Sequence, residues 1–259
     1  MTQSSASSEL VRAYANRGAA LSRIVRASLP SRQLGRRVAL LAKERGSVLV
    51  VGETGTGKTL VANELQAGSE PSARNLSVNC ASLSDAQLAQ QVLDYLPPTP
   101  GQENYGALFL DEVGELSPWG QAVLLRALSD RDPTRAPRLI ATTYRDLEAM
   151  VRAGSFSGEL LLRLRGETLH LPPLRERITE LSPLALHFVR IALIGARPPV
   201  ISIEPELIAQ LERHRWPGNV RELQNVLTRA VAECVDGVLR VELLPEKLRR
   251  AAPMQDGSA

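Results

Sequence analysis

With 259 residues and a hydrophobic content of 44%, the chain has enough apolar mass for one large or two modest packed domains. Aromatics make up only 3%, and Leu, Ala and Val carry the apolar load, which argues against a β-sandwich and for helices with short aliphatic strands. The net charge of +3 comes from 31 basic and 28 acidic residues, a slight arginine excess that is no basic tail and does not point to nucleic acid.

The opening MTQSSASSEL lacks a basic stretch followed by an apolar run, so no signal peptide is expected. From there to about Arg37 the arginines fall at loosely helical spacing, which predicts one or two amphipathic helices with a solvated basic face. The pattern then alternates as a parallel sheet with crossover helices should. SVLVV reads as a strand, KTLVANELQ as a helix, NLSVN as a strand and LSDAQLAQQVLDYL as a helix. ALFLD is the next strand, PWGQAVLLRALSD a helix, RLIATT a strand and ETLHL a weaker one. After LPPLRER only helices are predicted: ITELSPLALHFVRIALIG, EPELIAQLERH with Pro205 at its start, GNVRELQNVLTRAVAECV and a short one near LLPEKLRR. The run LALHFVRIALIGA contains His187 and Arg190 and is too short to span a bilayer. Cys80 and Cys234 stand far apart and the three histidines are scattered, so a reduced, cytoplasmic chain without a Cys/His metal centre is expected.

GETGTGKT, Gly52 to Thr59, fits the phosphate-binding loop and lies between a strand and a helix, where that loop belongs. Gly52, Gly55 and Gly57 let main-chain N–H groups close around phosphate oxygens at a helix N-terminus. Lys58 would reach the β- and γ-phosphates, and Thr59 would hold Mg²⁺. ALFLDE ends a buried strand in Asp111 and Glu112 at its carboxyl end, where open parallel sheets bind ligands. Asp111 can support Mg²⁺ through water, and Glu112 can polarise an attacking water. Further on, Arg163, Arg165, Arg175 and Arg177 could stabilise transition-state charge on a neighbour's nucleotide or bridge Glu159, Glu167 and Glu176 on the surface. The surface reading is preferred for Arg165, Arg175 and Arg177. Arg221, in WPGNVREL, is left open on spacing alone between a ligand role and an ion pair with Glu222 or a nearby acid.

These blocks, together with VNCASL, LFLDEVGEL, QAVLLRAL, RDL, LPPLRERITEL and WPGNVRELQNVLTRAV, resemble the AAA+ central domain of bacterial enhancer-binding proteins, the activators of the sigma-54 form of RNA polymerase. The resemblance runs from about residue 30 to residue 250. It implies an α/β P-loop NTPase with a central parallel sheet and a C-terminal helical lid, binding ATP with Mg²⁺ between subunits of a ring, a hexamer. Residues 1–30 would form a basic N-terminal segment, 31–175 the nucleotide-binding domain, 176–250 the lid and 251–259 a tail. By matching position, Gly52, Glu53, Thr54, Gly55, Thr56, Gly57, Lys58, Thr59 and Leu60 become the nucleotide loop, with Asp111 beside them, and Thr59 and Asp111 the metal-supporting pair. Glu112 becomes the catalytic acid, Asn79 the switch that orients it, Arg163 a finger arginine and Arg221 the lid's γ-phosphate sensor.

Departures from the family pattern narrow the expectation. The family's long GAFTGA insertion, the loop that grips the sigma factor, would stand between the VNC helix and the ALFLD strand, where this chain has only LPPTPGQENYG. The loop before the sensor strand is also short. Ser157 stands where the second finger arginine is expected, and Tyr144 where the sensor asparagine is expected. No helix-turn-helix is expected in the residues after Arg221, and no receiver domain is expected ahead of the core. The reading is a ring ATPase acting on an unidentified protein partner in transcriptional regulation, with no direct sigma-54 contact, specific DNA binding or membrane. The alternative is a hydrolysis-impaired ATP switch that co-assembles with, or modulates, a full-length activator or another partner.

Overall fold

The computed structural model describes residues 29–67, 73–96, 105–129, 136–193 and 202–250. The expected N-terminal basic segment, most of the LPPTPGQENYG connection, the link at 130–135 and the tail lie outside the described residues. The described residues fall into two compact units, one of residues 33–171 and the other of residues 29–32 and 172–250.

In the first unit, helix α1 (Leu29–Leu41), which belongs to this unit from Gln33 on, precedes β1 (Val48–Val51), α2 (Lys58–Ala67), β2 (Arg74–Asn79), α3 (Asp85–Tyr95) and β3 (Tyr105–Asp111). Next come a 3-10 turn (Val113–Glu115), α4 (Pro118–Ser129), β4 (Arg138–Thr143), α5 (Leu147–Arg152), α6 (Gly158–Leu164) and β5 (Glu167–His170). The five strands pair in the order β2-β3-β4-β1-β5, every pair parallel. A parallel sheet is covered on both faces, so its strands read as continuous apolar runs rather than alternations. Ala107 to Leu110 of β3 and all six residues of β4 are accordingly buried.

Helices α3 and α5 of this unit start at caps that the sequence offers. Ser84 and Gln87 form a reciprocal capping box at α3, and the Asp146 carboxylate accepts from Ala149 N–H at α5. Arg138, at the start of β4, is only 8% exposed. Its guanidinium donates to the carbonyls of Leu41, Ala42, Gly46 and Leu65, so it satisfies oxygens that the ends of α1 and α2 leave open. Burial holds its pKa below the usual arginine value, with Glu44 opposing.

The second unit holds a 3-10 stretch (Leu174–Glu180), α7 (Leu181–Ala192), β6 (Ser202–Ile203), α8 (Pro205–Glu212), α9 (Asn219–Glu233), β7 (Val238–Leu239), a 3-10 turn (Val241–Leu243) and α10 (Glu246–Arg249). Leu181, Phe188, Leu207, Leu223 and Leu227 share one core with Trp216, which is fully buried and donates its indole N–H to the Leu211 carbonyl at 2.9 Å. Trp216 and Asn219 both take positive φ in the WPGN turn, and the buried Asn219 amide oxygen accepts from Leu174 N–H at 2.8 Å.

Three sequence expectations need correction. The two-residue parallel pair β6–β7 interrupts the stretch predicted to be helical throughout, because two residues leave no alternation to read. The helix predicted from Ile178 begins at Leu181, since Arg177 (φ −132°, ψ 43°) breaks helical geometry just before it. Arg177, expected on the surface, is 8% exposed and pairs with the fully buried Glu180 at 3.3 Å.

Candidate nucleotide site

The loop after β1 is shaped by its own hydrogen bonds. Gly52 N–H donates to the Thr143 carbonyl at 3.2 Å, tying the loop to the end of β4. The Thr56 hydroxyl donates to the Glu53 carbonyl at 2.8 Å, and Gly55 and Gly57 take φ of 81° and 104°, conformations that need glycine. Lys58 opens α2 with its side chain only 5% exposed, donating to the Glu53 carbonyl at 3.3 Å and pairing with Glu112 Oε1 at 2.9 Å. Main-chain donors, a helix N-terminus and a buried lysine are the components of a polyphosphate cradle.

β3 delivers the acids to the same place. The Thr59 hydroxyl reaches Asp111 Oδ1 at 3.4 Å, and the Thr142 hydroxyl, one strand over on β4, donates to the same oxygen at 2.5 Å. That Thr142 oxygen also accepts the N–H of Glu112 at 3.0 Å, so one hydroxyl fixes both acids. Glu112 lies just past the strand with φ 54° and ψ 53°, a left-handed conformation unusual outside glycine. Its carboxylate is held by Lys58 at Oε1 and by the main-chain N–H of Tyr144 at Oε2, 3.0 Å. Cys80, packed behind, has its thiol pushed up to about 12 by burial and by the charges of Asp111 and Glu112.

Thr59 and Asp111 supply hard oxygen donors, and no group of three or more His, Cys, Asp or Glu among the described residues could hold a metal alone. That donor set suits Mg²⁺, which takes one or two protein oxygens and completes its shell with waters and phosphate.

The remaining candidates stand apart from these contacts. Asn79 faces Asp111 across the β2/β3 register, and its side-chain oxygen accepts from Ala81 N–H at 3.0 Å. On α6, Arg163 approaches the Leu128 carbonyl at 3.5 Å and Glu159 at 3.9 Å, with its side chain 38% exposed. Arg165 pairs with Glu148 at 2.7 Å. Arg221 is exposed in the first turn of α9, while Glu222 accepts from Gly218 N–H. Ser157 is the N-cap of α6, its hydroxyl accepting from Leu160 N–H at 3.2 Å. Sequence reasoning missed Thr142 and the Glu115–Arg145 pair. The only signal for Thr142 was a hydroxyl residue near the end of a buried strand, and nothing in the sequence sets Glu115 and Arg145 apart from its other charged residues.

The sheet order, with a phosphate-binding loop leaving β1 and acids ending β3, defines a P-loop NTPase of the AAA+ class followed by a helical lid. Comparison with known proteins narrows the class. The sigma-54 interaction domain matches residues 25–174 and the AAA+ ATPase lid domain residues 175–259, and the chain belongs to the sigma-54 interaction domain family.

Among curated relatives, the transcriptional regulatory protein ZraR of Klebsiella oxytoca is 38% identical over 221 residues, 77% of this chain and 50% of that protein. The regulatory protein AtoC of Escherichia coli (strain K12) is 36% identical over 233 residues, 82% and 50%. The Nif-specific regulatory protein of Azospirillum brasilense is 37% identical over 225 residues, 79% and 36%. The chain thus spans half or less of the length of these relatives. Among solved structures, NtrX from Brucella abortus in complex with ATP superposes with a TM-score of 0.71 at 27% identity, covering 93% of this chain and 60% of that one. Domain III of the Thermotoga maritima replication initiation protein DnaA shares the fold at 16% identity and TM-score 0.59, covering 83% and 90%. No helix among the described residues is long and apolar enough to cross a membrane.

Proposed function

We propose that this chain binds ATP with Mg²⁺ and hydrolyses it as a ring oligomer, a hexamer, to remodel or regulate a protein partner in transcription. The observation that carries the reading is the convergence of Lys58, Thr59, Asp111 and Glu112 at the end of β3, with Lys58 2.9 Å from Glu112 and Thr59 3.4 Å from Asp111. In this reading residues 52–60 cradle the phosphates and Lys58 neutralises charge on them. Bound Mg²⁺, held by Thr59 and Asp111, would offset further phosphate charge. Glu112 orients and polarises the attacking water, with Asn79 adjusting it. Arg163, exposed on α6, serves a neighbouring subunit's nucleotide, and Arg221 reads the γ-phosphate from the lid. NtrX in complex with ATP and with ADP supports the choice of nucleotide.

The partner is expected to be something other than sigma-54 itself. Between the end of α3 at Tyr95 and the start of β3 at Tyr105 the chain has only nine residues, 96–104, too few for the family's sigma-gripping insertion. A second reading, an ATP switch with impaired turnover, is favoured by Ser157, which caps a helix where the family places a finger arginine.

Calorimetry with ATP and Mg²⁺, followed by a turnover assay, tests the first reading. Wild type is expected to bind and hydrolyse ATP, Lys58→Ala to lose binding by about tenfold or more, and Glu112→Gln to bind while turning over about 10²-fold more slowly. Binding without turnover by wild type would leave the switch reading standing instead.

A further inference from the structure

The Glu112 carboxylate is gripped at both oxygens, by Lys58 Nζ on Oε1 and by the main-chain N–H of Tyr144 on Oε2. A carboxylate has about four lone-pair positions, so two grips fix its plane and still leave room for a water. The second grip belongs to a peptide just past the end of β4, and a group of side chains beside it fixes where that peptide lies. The Tyr144 phenol donates to Glu115 Oε1. Arg145 closes on the same carboxylate, Nε on Oε1 and Nη2 on Oε2, each at 2.8 Å. Glu115 stands in the 3-10 turn that Glu112 itself initiates. A closed circuit results: Glu112, the turn, Glu115, the Tyr144 side chain, and the Tyr144 N–H back to Glu112. Gly114 makes the circuit possible, because a Cβ there would come within 3.0 Å of Thr143 Oγ1 and 3.2 Å of Arg145 Cβ and Cδ.

The geometry points to Tyr144 as a positioning residue for Glu112, acting through its own peptide N–H while the phenol–Glu115–Arg145 clasp holds that peptide in place. The inference rests on reading Glu112 as the group that polarises water. Tyr144 has one phenolic proton and gives it to Glu115, so the side chain keeps no donor for a phosphate; its ring instead flanks Lys58 Nζ at 6.0 Å from the centroid. Position 144 therefore contributes through the main chain, and the side chain serves to aim it. Misplacing a reacting group by a fraction of an ångström is costly in rate even when substrate binding is untouched.

The test measures kcat and the affinity for a non-hydrolysable ATP analogue in Tyr144→Phe, Glu115→Ala, Glu115→Gln and the Tyr144→Phe/Glu115→Ala double variant, with thermal midpoints as a folding control. Tyr144→Phe and Glu115→Ala are each expected to lower kcat about tenfold while analogue Kd stays within about twofold. The double variant is expected to be no slower than Glu115→Ala alone, since that variant already removes the acceptor of the phenol along with the Arg145 contacts. Glu115→Gln, whose amide oxygen still accepts the phenolic proton, is expected to recover most of the rate. Unchanged kcat in the single variants, losses that multiply, or Kd rising in step with lost rate would overturn the proposal while wild-type turnover stands. Absence of turnover in wild type would instead overturn the reading of Glu112, and the positioning role with it.

Discussion

Glu112 sits in a left-handed backbone conformation that costs a non-glycine residue roughly 1–2 kcal/mol, and the Thr142 hydroxyl on its N–H holds it there. Strain of this kind persists where neighbouring contacts fix a side chain in place, and here it brings a carboxylate to Lys58. Cys80, nearby, shows the same electrostatics from the other side. Burial first, and then Asp111 and Glu112, push its thiol up to about 12, so almost no thiolate exists at neutral pH. Iodoacetamide at pH 8 should leave Cys80 unlabelled in the native protein and label it once urea unfolds the chain; labelling of the native state at the rate of a free cysteine would contradict this. In the other unit His214 is buried, its Nδ1 accepting from Trp216 N–H at 3.1 Å, and burial lowers its pKa below 6.5, with Lys247 adding to the shift and Glu222 opposing it. A lowered folded pKa means the unfolded chain takes up the proton first. The contribution of His214 is therefore intact above its ordinary value of 6.5 and is lost as pH falls below it. Urea midpoints at pH 7.5 and 5.5 should show a larger acid loss in wild type than in His214→Gln, and equal losses would contradict the assignment.

Single contacts at the ends of elements decide where the helices lie. Ser157 caps α6 through Leu160 N–H, and its own N–H donates at 2.8 Å to Gln121, a buried side chain on α4 that also donates to the Leu116 and Ser155 carbonyls. Ser157→Ala should cost about 1 kcal/mol in a urea titration, the usual worth of an N-cap, and a change near zero would show that the cap is idle. β1, β3 and β4 were legible in the sequence as buried apolar runs between turn residues, while the edge strands β2 and β5, mostly exposed, carry weaker patterns. α5 and α6 were not, since six and seven residues are too few for a helical period to declare itself. The same contrast runs through the site. GETGTGKT and LFLDE are contiguous and can be read from one stretch of chain. Thr142, by contrast, reaches Asp111 and Glu112 through the pairing of β3 with β4, where Leu110 stands opposite Ala141. Register of this kind is a product of folding, and no local spacing announces it.

At the scale of the whole chain, two units with separate cores carry different parts of the proposed machine: the α/β unit holds Lys58, Thr59, Asp111, Glu112 and Arg163, and the helical unit holds Arg221. An ATPase that borrows Arg163 from a neighbour works only when assembled, so its rate per subunit depends on protein concentration. A chain that uses ATP as a switch has no such dependence, because it does not turn nucleotide over. The decisive measurement is steady-state ATP hydrolysis per subunit across protein concentration for wild type, Glu112→Gln and Arg163→Ala. The expected result is a wild-type rate that rises with concentration to a plateau and is lost in both variants. ATP bound at every concentration with no turnover, or turnover indifferent to concentration and to Arg163, would contradict it.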